Sequence, residues 1–106
     1  MTKFQSKNVI LDESVELVHS FLSDLSNFET FMPEQVLNWQ AEKEECRFKI
    51  NGLSDFHMKI DNKVVPRSVH IVSADNKPVP YHLDFYLYKT SDGKSELEIL
   101  FHAELN

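Results

Sequence analysis

Glycine is nearly missing from this chain, with two in 106 residues. That excludes a glycine-rich phosphate cradle, which needs several positions where backbone N–H groups approach a phosphate without a Cβ in the way. Cysteine is scarcer still. The single Cys46 excludes an intrachain disulfide and any CxxC motif. Basic runs are absent: eleven Lys and Arg are scattered among seventeen Asp and Glu, for a net charge of −6. A nucleic-acid backbone or an anionic membrane surface calls for a basic patch, so neither is an expected partner. No apolar run approaches the roughly 20 residues that span a bilayer. The start, MTKFQSKNVI, lacks the charged-then-apolar pattern of a secretory signal. These absences lead to the expectation of a soluble, cytoplasmic protein.

What is abundant is aromatic: eight Phe, three Tyr and one Trp. Large rigid side chains suit a thick sheet core or the lining of a cavity. The length fits one domain, residues 1–106, able to bury a core without metals or disulfides.

Periodicity then divides the chain. Phe4, Val9 and Ile10 mark an initial strand over residues 3–11. Asp12 fits a helix N-cap, with Glu13 in the first turn, where its charge suits the helix dipole. Val15, Val18, Phe21, Leu22 and Leu25 follow at helical spacing with Leu17 on the flank, leaving Glu16, His19, Ser20 and Ser23 for the other side. Ser26 and Glu29 have capping-box spacing for a second short helix, with Phe28, Phe31 and Met32 as its apolar face and Pro33 as its stop. Joined almost without a loop, the two helices form a bent unit whose apolar sides share one target surface.

From Val36 the period becomes two. Leu37 and Trp39 alternate with polar residues, as do Cys46, Phe48 and Ile50, then Phe56, Met58 and Ile60, then Val69 and Ile71. Turns are expected at 42–45, at Gly52, at 61–63 and at 75–78. The last hairpin is the clearest: Ser91-Asp92-Gly93 supplies a three-residue turn with Gly93 left-handed. That turn pairs Thr90 with Lys94 and sets Leu87 opposite Leu97, Phe85 opposite Ile99 and Leu83 opposite Phe101. A one-residue slip would send one apolar set to water.

This order of elements, with the segment FLSDLSNFETFMPEQVLNWQ and the ending LEILFHAELN, resembles the helix-grip, or START-like, superfamily, and in particular a small bacterial SRPBCC branch. That superfamily includes polyketide cyclases, aromatase-cyclases, pollen-allergen-like carriers and lipid-transfer domains. The resemblance covers nearly the whole chain. It implies an α+β fold: a curved antiparallel sheet of about seven strands, with two short helices after the first, gripping a cavity. The superfamily shares that cavity and not a catalytic motif. It also implies a long C-terminal helix over the concave face, for which this sequence, ending at Asn106, has no residues. The expectation is that a second copy, as a homodimer, or something outside this sequence covers that face.

Side-chain parity assigns the ligand-facing residues: Trp39, Phe48, Ile50, Phe56, Met58, Ile71, Tyr81, Leu83, Phe85, Ile99 and Phe101. In this set only Tyr81 titrates, and a tyrosine near a strand end reads as core with its hydroxyl reaching solvent. Cys46 reads as a small core residue. No two of His19, His57, His70, His82 and His102 have the i, i+4 spacing of a helical zinc pair. His82 and His102 become cross-strand neighbours, near Asp84 and Glu104, on the convex side, and read as a solvated cluster. No catalytic residue, metal or cofactor is expected. The reading is non-catalytic binding of a small hydrophobic molecule (lipid, polyketide-like or aromatic). A cyclase or hydratase would require a titratable group in the cavity, as a bulge at Gly52 bringing His57 or Asp55 inside would supply. A protein-interaction module on the same fold is the third reading.

Overall fold

A computed structural model describes residues 2–32, 34–50, 55–75 and 79–104. Strand β1 (Thr2–Leu11) is followed by helix α1 (Val15–Leu22) and a 3-10 helix (Leu25–Phe31). Six strands come next: β2 (Val36–Ala41), β3 (Glu45–Ile50), β4 (Asp55–Val64), β5 (Ser68–Ser73), β6 (Tyr81–Lys89) and β7 (Ser95–Glu104). They form one antiparallel seven-stranded sheet in the order β1-β7-β6-β5-β4-β3-β2. From β2 to β7 every strand lies beside its sequence neighbour, and β1 closes the far edge against β7. The expected α+β helix-grip architecture, a curved sheet with two helices after the first strand, is the one observed.

The hairpin register is as expected. Leu87 faces Leu97, Phe85 faces Ile99 and Leu83 faces Phe101. Thr90 N–H donates to the Lys94 carbonyl at 3.0 Å, and Gly93 sits at φ +79°. Two strand details differ from expectation. Asn38 adopts φ 55° and the β2–β3 register slips between Leu37 and Gln40. This bulge sets Val36 opposite Ile50 and leaves Leu37 exposed, while Trp39 keeps the inner face. The turn expected at 61–63 is strand instead. A bulge between Ile60 and Asn62 absorbs the polar residues, and the chain reverses over Val65–Arg67 through a cis Val65–Pro66 bond. The turns placed at Gly52 and over 76–78, and the stop at Pro33, lie outside the described residues.

The helices keep their places but start elsewhere. Ser14, not Asp12, caps α1, its hydroxyl accepting from Leu17 N–H at 3.2 Å. Asp24, not Ser26, caps the 3-10 helix, accepting from Ser26 N–H at 3.0 Å and from the Ser26 hydroxyl at 2.5 Å. Those bonds hold the Asp24 carboxyl below the usual range. Ser26, Asn27 and Thr30 all bond locally to backbone or cap, a habit that competes with regular α-helix and suits the tighter turn.

The inner face of α1 is also rotated from the expected one. Val15, Val18, His19, Leu22 and Ser23 are buried, whereas Phe21 is on the rim. The cause is polar. His19 Nε2 donates to the Ser68 carbonyl at 2.9 Å, and the Ser23 hydroxyl donates to the His19 carbonyl at 2.7 Å. With those groups satisfied, a histidine and a serine enter the core at little cost. Beneath them lie Leu25, Val69, Ile71 and Cys46, all at or below 1% exposure.

Replacing Leu25 by Ala is expected to destabilise the fold by about 2–5 kcal/mol, against less than about 1 kcal/mol for the half-exposed Leu17→Ala. Urea midpoints with an unchanged slope check this. Gly93→Ala should cost about 1–2 kcal/mol, because its left-handed φ strains any Cβ.

Candidate functional site

The face that carries the helices is identified by contact: Phe28 of the 3-10 helix meets Phe85 of β6 edge-on, with ring centres 6.1 Å apart. Cross-strand pairing then places all of the expected ligand-facing set on this face. Ile71 is opposite Leu83, Leu83 opposite Phe101, Phe85 opposite Ile99, and Phe48 opposite Phe56. Met58, paired with Cys46, and Ile50, two residues after Phe48, share it. The structure gives nine of these eleven residues one of three roles, with Leu83 partly buried against the core and Ile50 half-buried at the end of β3.

Met58 and Ile71 are buried core. A second group forms an aromatic row across the sheet. Trp39 stacks on Phe48 at 5.5 Å, and Phe48 on Phe56 at 5.3 Å; Phe56 meets Tyr81 at 6.2 Å, and Tyr81 meets Phe101 at 6.1 Å. Such pairs contribute about 0.5–1.5 kcal/mol each beyond their burial. Only Phe85 and Ile99 belong to the third group, which lines a cavity of about 560 Å³ between the helices and strands β6 and β7. That volume lies within the range of small-molecule sites, about 300–1,000 Å³.

The other cavity walls come from Leu11, Leu17, Val18, Phe21, Leu22, Phe28 and Phe31, together with Leu97. Strand parity missed the helical ones, although the shared apolar side of the two helices already pointed to them. Glu13, exposed to solvent, is the sole ionisable lining residue among the described residues. Its backbone carbonyl accepts from the Ser95 hydroxyl, tying the start of α1 to β7.

His57 and Asp55 do not enter this cavity. They pair with Arg47 and Lys49 and line a separate depression of about 380 Å³ with Asn38 and Gln40, to which Phe48 and Phe56 also contribute. Tyr81 differs from expectation in its hydroxyl, which is buried. Burial pushes the phenol above its ordinary value, so it stays a hydrogen-bond donor. Among the described residues, Tyr81 OH and Trp39 Nε1 are buried without a hydrogen-bond partner, as is His57 Nε2, which is 3.7 Å from Glu45. An unpaired buried donor costs about 1–3 kcal/mol. Cys46 is buried as expected, and burial pushes its thiol up to about 11, so at neutral pH it is held as the neutral thiol rather than the nucleophilic thiolate.

One polar chain on the outer face has the contact order of an acyl-transfer triad: the Ser68 hydroxyl 3.1 Å from His70 Nε2, and His70 Nδ1 2.8 Å from Asp84. Ser68 is buried in a strand paired on both sides, so the neighbouring amides serve the ladder and offer no oxyanion hole. It is a structural network. Among the described residues, no three His, Cys, Asp or Glu groups converge on a metal position.

No family model and no curated protein sequence matches this chain. Solved structures do. A START superfamily protein from Mycobacterium smegmatis superposes with a TM-score of 0.76 at 12% identity, over 97% of this chain and 77% of that one. The Zhui aromatase/cyclase from a Streptomyces species gives 0.77 at 11%, over 100% and 70%. A norcoclaurine synthase point mutant from Thalictrum flavum gives 0.76 at 6%, over 100% and 77%. The chain therefore has the START-like helix-grip fold, and at these identities the likeness is one of fold.

Because the Cys46 pKa is raised above the ordinary value of 9.0, its neutral thiol favours the folded state below pH 9, and that contribution is lost as pH rises toward 11. The stability difference between the native chain and Cys46→Ala should shrink across this window in urea titrations at stepped pH. A constant difference would show that the thiol titrates normally.

Proposed function

We propose that this protein binds a small hydrophobic molecule, lipid, polyketide-like or aromatic, in the cavity between α1, the 3-10 helix and strands β6 and β7, without chemical transformation. The observation that carries this reading is the lining: leucine, valine, isoleucine and phenylalanine side chains with Glu13 as the only ionisable group. General acid–base catalysis needs a positioned proton donor or acceptor at the reacting atom, and Glu13 is exposed to solvent. The fold likeness to an aromatase/cyclase and a synthase keeps cyclase or hydratase chemistry as the rival. The aromatic row extends the apolar surface of the same sheet face. We place this role in the cytoplasm. Among the described residues no helix is long and apolar enough to cross a membrane.

A second reading rests on the cavity rim, where Leu17, Phe21 and Phe31 are exposed and the two phenylalanines meet edge-on at 5.5 Å. Contiguous exposed apolar groups mark contact surfaces. We infer that a second copy of the chain docks on this face as a homodimer when no ligand fills it.

A neutral apolar dye such as N-phenyl-1-naphthylamine should fluoresce on binding one site per chain. Ile99→Trp, which fills the cavity, should weaken that binding at least tenfold while leaving the far-ultraviolet circular dichroism unchanged. Equal dye affinity in the variant would remove the cavity from consideration. Native mass spectrometry of the same samples separates a ligand-bearing monomer from an empty dimer.

A further inference from the structure

Strands β6 and β7 set two imidazoles side by side on the face away from the helices. His82 is paired with His102, and their ring centres are 4.7 Å apart. Both rings are reachable from solvent, with side-chain exposures of 45% and 27%. Asp84 stands beside them and is largely buried. Its Oδ2 lies 3.0 Å from His82 Nδ1 and its Oδ1 lies 2.8 Å from His70 Nδ1.

An ionised carboxylate can only accept, so each Nδ1 carries a proton and each neutral ring has its lone pair on Nε2. His70 uses that lone pair to accept from the Ser68 hydroxyl at 3.1 Å. On His82 it belongs to a half-exposed ring. A carboxylate on one ring nitrogen, fixing the tautomer and raising the basicity of the other, is the support that metal-binding histidines receive.

The spacing fits as well. Two imidazoles bound at about 2.0–2.1 Å to one cation have ring centres about 4.5 Å apart when adjacent in a square plane and about 5.2 Å apart in a tetrahedron. The observed 4.7 Å falls between these limits. Glu104 adds negative charge at the rim, its Oε1 lying 3.6 Å from His102 Nε2, and the chain as a whole carries −6. With no third protein group converging among the described residues, solvent would complete the coordination.

We propose that His82 and His102 bind a divalent transition-metal cation through their imidazole nitrogens, with Asp84 as the positioning residue. Imidazole donors, an open coordination sphere and the Irving–Williams order favour Cu(II) over Zn(II). The site is separate from the apolar cavity, which lies on the other side of the sheet, so its test is independent of ligand binding there.

Titrating the full chain with Cu(II) should load one equivalent, with hyperfine coupling to two nitrogens in the electron paramagnetic resonance spectrum. His82→Ala and His102→Ala should each weaken binding at least tenfold, Asp84→Asn by about 10- to 100-fold, and His57→Ala should leave it unchanged. Undiminished affinity in the His82→Ala/His102→Ala double variant overturns the proposal. Because removing Asp84 also disturbs His70, the unaltered chain provides a second test. On addition of Zn(II), the imidazole nitrogen resonances of His82 and His102 should move while those of His19 and His57 stay. Movement confined to His57, or none at all, overturns the assignment.

Discussion

The contact on which the rest of this molecule depends is between the inner face of α1 and the central strands. A single layer of sheet cannot bury its apolar face alone. Here Val15, Val18 and Leu22 cover it, and His19 is anchored to the Ser68 carbonyl in their midst. The 3-10 helix extends the cover toward β2 and β3, where the Leu25 amide donates to the Lys43 carbonyl at 2.8 Å. These two hydrogen bonds are directional, whereas the apolar contacts around them are not. They set where on the sheet the helices sit, and so where the covered half ends.

The functional geometry follows from that placement. The helices cover one end of the inner face, meeting β6 through Phe28 and Phe85, and the apolar cavity lies between them and strands β6 and β7. Beyond them the aromatic row from Trp39 to Phe101 occupies the other end. The two regions differ in what they offer. The cavity has volume and almost no polarity, while the row has flat aromatic surface and two donors without partners. The outer face carries the ionisable groups in short cross-strand networks. Burial of apolar area and arrangement of charge are thus divided between the two sides of one sheet, as strict side-chain alternation allows.

Much of this was legible residue by residue. The β6–β7 register was readable because both strands alternate cleanly and the Ser91-Asp92-Gly93 turn has the residues its geometry demands. The same alternation put the residues expected to face a ligand, from Trp39 to Phe101, on the helix-bearing side of the sheet, though only Phe85 and Ile99 line the cavity. The misreadings have local physical causes. At Asn38 a left-handed residue inverted the parity around Leu37. Over 61–63 a bulge absorbed residues that elsewhere make turns. Ser14 and Asp24 captured helix starts that Asp12 and Ser26 were equally equipped to cap. His19 and Ser23 looked solvent-facing because each is polar, and their burial depends on acceptors supplied by β5 and by the helix backbone.

The sequence by itself determined the order and period of the elements, the pairing of the last hairpin and the absence of an intrachain disulfide within these residues, because each of these depends on composition or on neighbours a few residues apart. Only the tertiary structure decided which apolar residues are core, which line space and which are merely exposed. It also joined His70 to the His82, His102 and Asp84 cluster that the hairpin register had already placed together. Those outcomes depend on contacts between residues far apart in the chain, such as His19 and Ser68, and no local pattern carries them.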